Sequence, residues 1–190
     1  MKLVVGLGNP GPEYADTRHN AGQRIVERLA ARHRIALARE ARLEARLGAG
    51  SVRGVRVALL VPLGFMNASG RAVERALEAL APLDPAQDLL VVYDDLDLPF
   101  GRLRIRPGGG AGGHRGLGDI QERLGRDDFA RLRFGIGRPP PGGDPVDYVL
   151  APFDAGEAAA LPERLEAAAD ALETLLREGL GTAMNQFNPD

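Results

Sequence analysis

Hydrophobic and polar positions follow two periodicities along the chain, and these predict strands that alternate with helices. The runs 2–5 and 89–93 are continuous, apolar and rich in β-branched residues, as is typical of strands covered on both faces. Residues 21–33 carry apolar side chains three or four positions apart, which predicts an amphipathic helix with one buried face. The same two patterns predict further strands at 41–47, 52–61, 102–106 and 131–136, and further helices at about 69–80, 114–124 and 156–178.

Glycine and proline predict where these elements are interrupted. The segment 48–50 contains two glycines and is expected to join two strands. Pro82 and Pro85 are expected to end the second helix, and Pro162 to break or restart the last one. Residues 146–150 fit a helical turn or a short strand, and 182–190 is expected to be a polar tail.

Strands and helices in this order predict an α/β fold with a mixed, twisted sheet flanked by helices. The 190 residues, 44% of them hydrophobic, suit a single domain spanning 1–190 with a real core. No repeat or linker interrupts the chain. No run of 18 apolar residues and no signal-peptide pattern is found, so we expect a cytoplasmic protein without a membrane partner.

Residue types exclude several chemistries. The chain has no cysteine, so disulfides, thiol nucleophiles and thiolate metal sites are ruled out. His19, His33 and His114 are too far apart in sequence to predict a metal site. We therefore expect no metal.

A glycine run directly follows the first predicted strand. Its glycines, between Gly6 and Gly11, fit the spacing G-x-G-x-x-G that binds dinucleotides where a helix begins inside the run. Here Pro10 and Pro12 remove two amide donors, and the helical pattern begins only near Asn20. No acidic residue closes a second strand about 20 residues later. The dinucleotide interpretation is therefore the weaker one.

Charge is distributed unevenly along the chain, although its formal net value is only -2. The segment 101–138 contains nine arginines and four acids, whereas 144–190 contains ten acids and two arginines. A basic segment in an otherwise acidic protein indicates a confined phosphate-binding face. The alternative is that these arginines are scattered surface charges.

Polar side chains follow several predicted strands, at the sheet edge where α/β proteins bind ligands. Asn9 follows the first strand, Asn67 the central one and Asp94 the next, while His19 stands where the first helix begins. A histidine oriented by an aspartate, without a serine or cysteine nucleophile, indicates a general base that activates water. The two amides could donate to a developing oxyanion. Alternatively, His19 is a hydrogen-bond partner at the helix start and Asp94 a loop cap.

Several motifs together resemble the bacterial peptidyl-tRNA hydrolases, and the resemblance covers almost the whole chain in order. They are Gly-Leu-Gly-Asn-Pro-Gly at 6–11, Tyr14, Thr-Arg-His-Asn-Ala-Gly at 17–22, Phe-Met-Asn at 65–67, Ser69-Gly70, Asp-Asp-Leu-Asp-Leu-Pro at 94–99, Gly-Gly-His at 112–114 and residues 133–137.

The resemblance implies a cofactor-free esterase that releases a peptide from the 3′ ribose of tRNA. By this likeness His19 is the base that activates water and Asp94 supports it. Asn9 contacts the substrate and helps to distinguish a blocked aminoacyl group from a free one. Tyr14, Phe65 and Asn67 would line the site for the tRNA end and the peptide.

The resemblance also implies which arginines hold tRNA phosphates, namely Arg104, Arg106 and Arg133. Arginine replaces the lysine often found at the first two positions, which keeps phosphate binding and permits bidentate contacts. Arg115 departs from the family, which usually has asparagine after Gly-His. An arginine there could meet the 3′-terminal phosphates, or point away and leave the task to Asn67.

A second hypothesis is an RNA-binding relative that keeps the fold without turnover. It predicts a degraded catalytic pair, and His19 together with Asp94 argues against it. From the resemblance we also expect a monomer.

Overall fold

A seven-stranded mixed sheet forms the centre of the computed structural model, which describes residues 1–189. The sheet order is β2-β3-β4-β1-β5-β7-β6, with β4, β1, β5 and β7 parallel and the β2–β3, β3–β4 and β6–β7 pairs antiparallel. This confirms the predicted α/β class. The strands are β1 (Lys2–Gly6), β2 (Ala38–Glu40), β3 (Ala45–Val52), β4 (Val55–Pro62), β5 (Leu89–Asp95), β6 (Leu103–Arg106) and β7 (Ala130–Gly135).

Helices cover both faces of the sheet. They are α1 (Ala21–Arg32), α2 (Ser69–Ala79), α3 (Pro85–Asp88), α4 (Arg115–Leu124), α5 (Pro145–Val149), α6 (Ala155–Glu178) and α7 (Leu180–Phe187), with 3-10 turns at Arg18–Asn20, Ala41–Leu43 and Met66–Ala68. Helices α1, α6 and α7 pack over one core cluster, and α2 and α4 pack over the other. The parallel strands β1 and β5 supply both clusters, because their side chains alternate between two buried faces.

Two glycines let α1 cross close to the sheet. A Cβ atom on Gly22 would lie 2.1 Å from the backbone oxygen of Val92, and one on Gly6 would lie 2.6 Å from the oxygen of Gly22. Only a hydrogen fits at either position. Packing of a helix on a strand therefore explains these glycines without a bound pyrophosphate.

The prediction that residues 48–50 form a turn between two strands was wrong. Gly48 and Gly50 lie inside β3, and the hairpin turns at Arg53 and Gly54, which both have positive φ. A Cβ atom on Gly48 would lie 2.5 Å from the oxygen of Ala36, so the glycines let the preceding segment cross the strand. The strand predicted at 41–47 also began too early, because Ala41–Leu43 is a 3-10 turn.

The predicted break at Pro162 was also wrong. Helix α6 is continuous from Ala155 to Glu178. Pro162 is exposed, so water can bond to the carbonyl that loses its partner, while the neighbouring Leu161 and Leu165 stay buried.

The predicted polar tail is largely helical. Residues 180–187 form α7, whose Ala183 is buried. Beyond it, the side chain of Asn188 accepts a hydrogen bond from the Ile105 amide at 2.7 Å and donates one to the Ile105 oxygen at 3.0 Å. The end of the tail, Asp190, lies outside the described residues. The segment left open at 146–150 is the helix α5.

No helix within residues 1–189 combines the length and apolarity that crossing a membrane requires.

Candidate active site

A cleft of about 740 Å³ opens at the edge of the sheet where the parallel strands end. Loops after β1, β4, β5 and β7 reach this edge, because strands that run in the same direction finish on the same side. Its volume is in the range of pockets that bind small ligands or a part of a larger one. The polar residues predicted after three of these strands, Asn9, Asn67 and Asp94, therefore lie around one cleft.

His19 and Asp94 form the centre of the cleft. The Nδ1 atom of His19 lies 2.9 Å from Oδ1 and 3.0 Å from Oδ2 of Asp94, so Nδ1–H donates to the carboxylate. Asp94 is 3% exposed at the end of β5, and His19 sits in the 3-10 turn before α1. The contact leaves Nε2 of His19 as the lone-pair nitrogen.

The charge of Asp94 is held by its neighbours. Burial by itself raises the pKa of this carboxyl, but electrostatic attraction to His19 and hydrogen bonds from His19 and His114 outweigh it, and the pKa falls to about 2. Asp94 is therefore an anion at neutral pH. It can stabilise positive charge that forms on the His19 ring.

Asn9 presents an amide nitrogen to the cleft. Its Oδ1 accepts the Met66 N–H at 2.8 Å, and its backbone N–H donates to Oδ1 of the fully buried Asn20 at 2.8 Å. The Asn20 side chain donates back to the Asn9 oxygen at 2.9 Å, which fixes the loop against the start of α1. Because the oxygen of the Asn9 side chain is engaged, its Nδ2 group is the part available to a substrate carbonyl.

His114 was not among the predicted site residues, although its motif contributed to the resemblance. It lies at the start of α4, and its Nε2 atom is 2.9 Å from Oδ1 of Asp94. His19, Asp94 and His114 offer ligand atoms within 4.8 Å of one another and could in principle hold a metal ion. In the structure these same atoms are joined in hydrogen bonds. His33 lies elsewhere, against Glu173.

An aromatic pair forms one wall of the cleft. The rings of Tyr14 and Phe65 meet edge to face with centroids 6.3 Å apart, and Phe65 is 59% exposed. Asn67 is exposed on the 3-10 turn that follows. An exposed ring of this size offers a surface on which a base or a peptide side chain can pack.

Arginines also line the cleft. Arg133 donates to Asp95 at 2.5 Å and Arg138 pairs with Asp97, whereas Arg106 and Arg115 have no carboxylate partner within the described chain. Five arginines face three aspartates around the cleft, so it is positively charged.

Arg104 is the one predicted site residue that does not line the cleft. It lies opposite Arg133 in the β6–β7 register and shares that face of the sheet with Arg106. The buried Leu103 and Ile105 point to the other face, as the alternating pattern predicted.

Two walls of the cleft were not predicted. One is the glycine-rich loop at 108–113, anchored by the buried Arg131, whose Nη1 donates to the Gly109 oxygen at 2.6 Å. The other is α5 with Leu150, which adds apolar side chains. The glycine-rich composition of 108–113 predicted a loop. Its contact with the site depends on Arg131, a residue that was not singled out from the sequence.

The structure thus brings nine of the ten predicted side chains to one cleft, and their individual roles stay predictions. They are Asn9, Tyr14, His19, Phe65, Asn67, Asp94, Arg106, Arg115 and Arg133.

The chain is similar over its whole length to known proteins. The family model described as peptidyl-tRNA hydrolase matches residues 3–190. The peptidyl-tRNA hydrolase of Chloroflexus aggregans is 52% identical over 189 residues, covering all of both chains, and that of Chloroflexus aurantiacus is 53% identical over the same length. The crystal structure of peptidyl-tRNA hydrolase from Acinetobacter baumannii superposes with a TM-score of 0.91 at 37% identity, over 99% of this chain and 94% of that one. The chain therefore belongs to the peptidyl-tRNA hydrolase family, and its activity is the hydrolysis of a tRNA-linked ester.

Proposed function

We propose that the cleft hydrolyses the ester between a peptide, or an N-blocked aminoacyl group, and the 3′ ribose of tRNA, with His19 activating water. The observation that carries this mechanism is the contact of His19 Nδ1 with both oxygens of the buried Asp94. It holds the ring in the tautomer whose Nε2 can accept a proton. No Ser, Thr, Cys or Lys lines the cleft within residues 1–189, which favours water as the nucleophile over a covalent intermediate.

The reaction then follows from these groups. Nε2 of His19 takes a proton from water as the oxygen attacks the ester carbonyl, and Asp94 stabilises the imidazolium. The Asn9 amide donates to the oxyanion that forms on the carbonyl oxygen. The intermediate collapses when the bond to the 3′ oxygen of the ribose breaks, and His19 returns the proton to that oxygen. The products are a peptide with a free carboxyl group and tRNA with a free 3′ hydroxyl.

Aromatic and amide side chains of the cleft bind the end of the tRNA and the peptide. Tyr14 and Phe65 stack on the terminal bases or pack on the peptide, and the Asn67 amide hydrogen-bonds to the peptide. Asn9, through its oriented amide, also helps to recognise the carbonyl of a blocked aminoacyl group. These assignments rest on the position of each side chain around the cleft.

The arginines bind the tRNA backbone. Arg106 and Arg133 contact phosphates from the cleft, and Arg104 extends the same basic face along β6. Arg115, exposed at the start of α4, contacts a phosphate near the 3′ end, and Asn67 takes over the amide contact that an asparagine at 115 would make. We further propose that the protein is a monomer that acts in the cytoplasm without a cofactor.

The test is release of N-acetyl-aminoacyl groups from tRNA by the wild-type protein and His19→Ala, with a chelator present and free aminoacyl-tRNA as the control substrate. General-base catalysis contributes roughly 10²- to 10⁴-fold, so we expect kcat to fall by at least about 100-fold in His19→Ala while tRNA affinity stays nearly constant. His33→Ala, which alters a histidine outside the cleft, should keep its kcat.

Normal turnover by a folded His19→Ala protein would eliminate the general-base role. Wild-type protein that binds tRNA in a salt-dependent manner but releases no product would instead favour the non-catalytic RNA-binding hypothesis.

A further inference from the structure

Asp94 is shared between two imidazole rings, although a catalytic pair needs only one. Its Oδ1 atom lies 2.9 Å from Nδ1 of His19 and 2.9 Å from Nε2 of His114. The ring centroids of the two histidines are 5.0 Å apart. The side chain of His114 is 8% exposed, so this second contact takes place in an environment largely closed to water.

The second nitrogen of His114 determines its protonation. The Leu117 backbone N–H donates to Nδ1 of His114 at 3.2 Å, which makes this side chain the cap of α4. A proton on Nδ1 would bring two donors face to face, and the positive end of the helix dipole also opposes an imidazolium there. His114 is therefore neutral, with its one ring proton on Nε2 and directed at Asp94.

A neutral N–H donor on Oδ1 changes what Asp94 does to His19. Part of the carboxylate charge is taken up by the His114 hydrogen bond, so less of it stabilises a His19 imidazolium. Held from both sides, the carboxyl group also cannot rotate away from His19. The result is a base that is oriented by Asp94 but can still release its proton to the leaving oxygen.

Within residues 1–189, the other ionisable groups near this centre are neutral or make their polar contacts elsewhere. Tyr93 meets the His114 ring at a centroid distance of 4.9 Å, and burial raises the pKa of its hydroxyl, so it is neutral. Asp95, next along β5, is engaged by Arg133, and the buried Arg131 donates to the carbonyl oxygen of Gly109. Asp94 is thus the carboxylate that the two imidazoles share.

We propose that His114 is a positioning residue for the His19–Asp94 pair, which it tunes through a fixed neutral tautomer that shares the charge of Asp94. This inference rests on the proposed role of His19 as the base. It deepens that role, because it assigns the release of the proton as well as its uptake to the geometry of the site.

Two substitutions separate this role from helix capping. In His114→Asn the short side chain can still accept the Leu117 N–H, but its amide cannot reach Asp94. In His114→Gln the longer amide can donate to Asp94, but it cannot cap the helix at the same time. The first variant keeps the helix cap and loses the hydrogen bond to Asp94. The second variant keeps the hydrogen bond to Asp94 and loses the cap.

The measurement is the pH dependence of kcat on N-acetyl-aminoacyl-tRNA for the wild type and both variants, with urea unfolding on the same samples. Loss of the His114 donor should strengthen the hold of Asp94 on imidazolium, so in His114→Asn the acidic limb moves to higher pH by about one unit, and kcat at pH 6 falls about tenfold. His114→Gln should keep the wild-type limb despite a lower unfolding midpoint. A wild-type profile in His114→Asn would overturn the proposal.

A readout independent of activity keeps the proposal testable if a variant does not fold. Nitrogen-15 NMR of the histidine rings in the wild-type protein at pH 7 should show His114 protonated at Nε2 and unprotonated at Nδ1. An imidazolium, or a proton on Nδ1, would refute it. Failure of the proposed function has a different signature, since it appears as normal turnover by His19→Ala whatever the state of His114.

Discussion

At the scale of single residues, the arginines of the cleft differ in whether a carboxylate already pairs with them. Arg133 and Arg138 are neutralised by Asp95 and Asp97, so a phosphate that approaches them competes with a carboxylate. Arg106 has no such competitor within the described residues and is exposed at the rim. Because the partners were not apparent from the sequence, the three predicted phosphate-binding arginines had seemed equivalent.

We predict that Arg106→Ala weakens tRNA binding more than it slows turnover. Each phosphate contact releases about one counterion, so the slope of log affinity against log salt should decrease by about one, with about tenfold weaker binding at low salt. The measurement is a fluorescence titration with tRNA at several salt concentrations, with kcat at saturating substrate. Arg56→Ala is the control, because Arg56 is exposed at the start of β4, far from the carboxyl edge. An unchanged salt slope in Arg106→Ala would show that Arg106 makes no phosphate contact.

At the scale of elements, the position of His19 depends on how closely α1 approaches β5. The helix begins directly after the 3-10 turn that carries His19, and Gly22 in its first turn touches the Val92 carbonyl. Asp94 lies two residues further along the same strand. One close packing contact therefore sets the distance between His19 and Asp94.

We predict that Gly22→Ala destabilises the fold, although alanine is the better helix former. The added Cβ would lie 2.1 Å from the Val92 oxygen, so the helix must shift, at a cost of about 2–3 kcal/mol in the free energy of unfolding. Gly118→Ala in α4 is the matched control, because its Cβ would meet only Ala111 at 3.8 Å. It should gain about 0.5–1 kcal/mol. Urea unfolding of both variants is the measurement, and equal effects would exclude the packing argument.

At the scale of the whole molecule, one buried carboxylate joins three parts of the chain. Glu173 of α6 lies 3.0 Å from Arg32 and 2.7 Å from His33 at the end of α1, and 2.5 Å from Arg53 in the β3–β4 turn. Burial raises the pKa of Glu173, but its hydrogen bonds to Arg53, His33 and Arg32 outweigh that effect and lower it to about 2. The ionised form is therefore stabilised in the folded protein, and the carboxylate holds α6 to the sheet.

We predict that Glu173→Gln lowers the free energy of unfolding by about 2 kcal/mol at pH 7, because it leaves partly buried cations without their anion. The pKa is about 2 in the folded state against an ordinary value of 4.5, so the wild-type contribution is complete above pH 4.5 and is lost as the pH falls towards 2. The difference between wild type and variant should thus shrink by about 1 kcal/mol between pH 7 and pH 4.

Urea unfolding at pH 7, 5 and 4 tests this prediction. Glu163→Gln, at an exposed position of the same helix, controls for the loss of one negative charge. A stability difference that stays constant over this pH range would mean that the Glu173 charge is not what stabilises the fold.

The class of fold, the family and nine of the residues that line the cleft could be predicted from the sequence alone. The apolar runs of β1 and β5 and the stripes of α1 and α4 are local patterns, so the elements could be predicted from their own residues. The polar motifs stand where strands end, and parallel strands bring their ends to one edge. This is why Asn9, His19, Asn67 and Asp94 could be expected together.

Features that depend on contacts between distant segments of the chain could be seen only in the folded protein. Gly48 was mistaken for a turn because the segment that crosses it was not visible from its neighbours. Pro162 continues a helix because its open side faces water, and the tail forms α7 and then pairs with β6 through Asn188. His114 reaches Asp94 because α4 begins beside the end of β5. In each case the deciding partner comes from elsewhere in the chain, and periodicity carries no information about it.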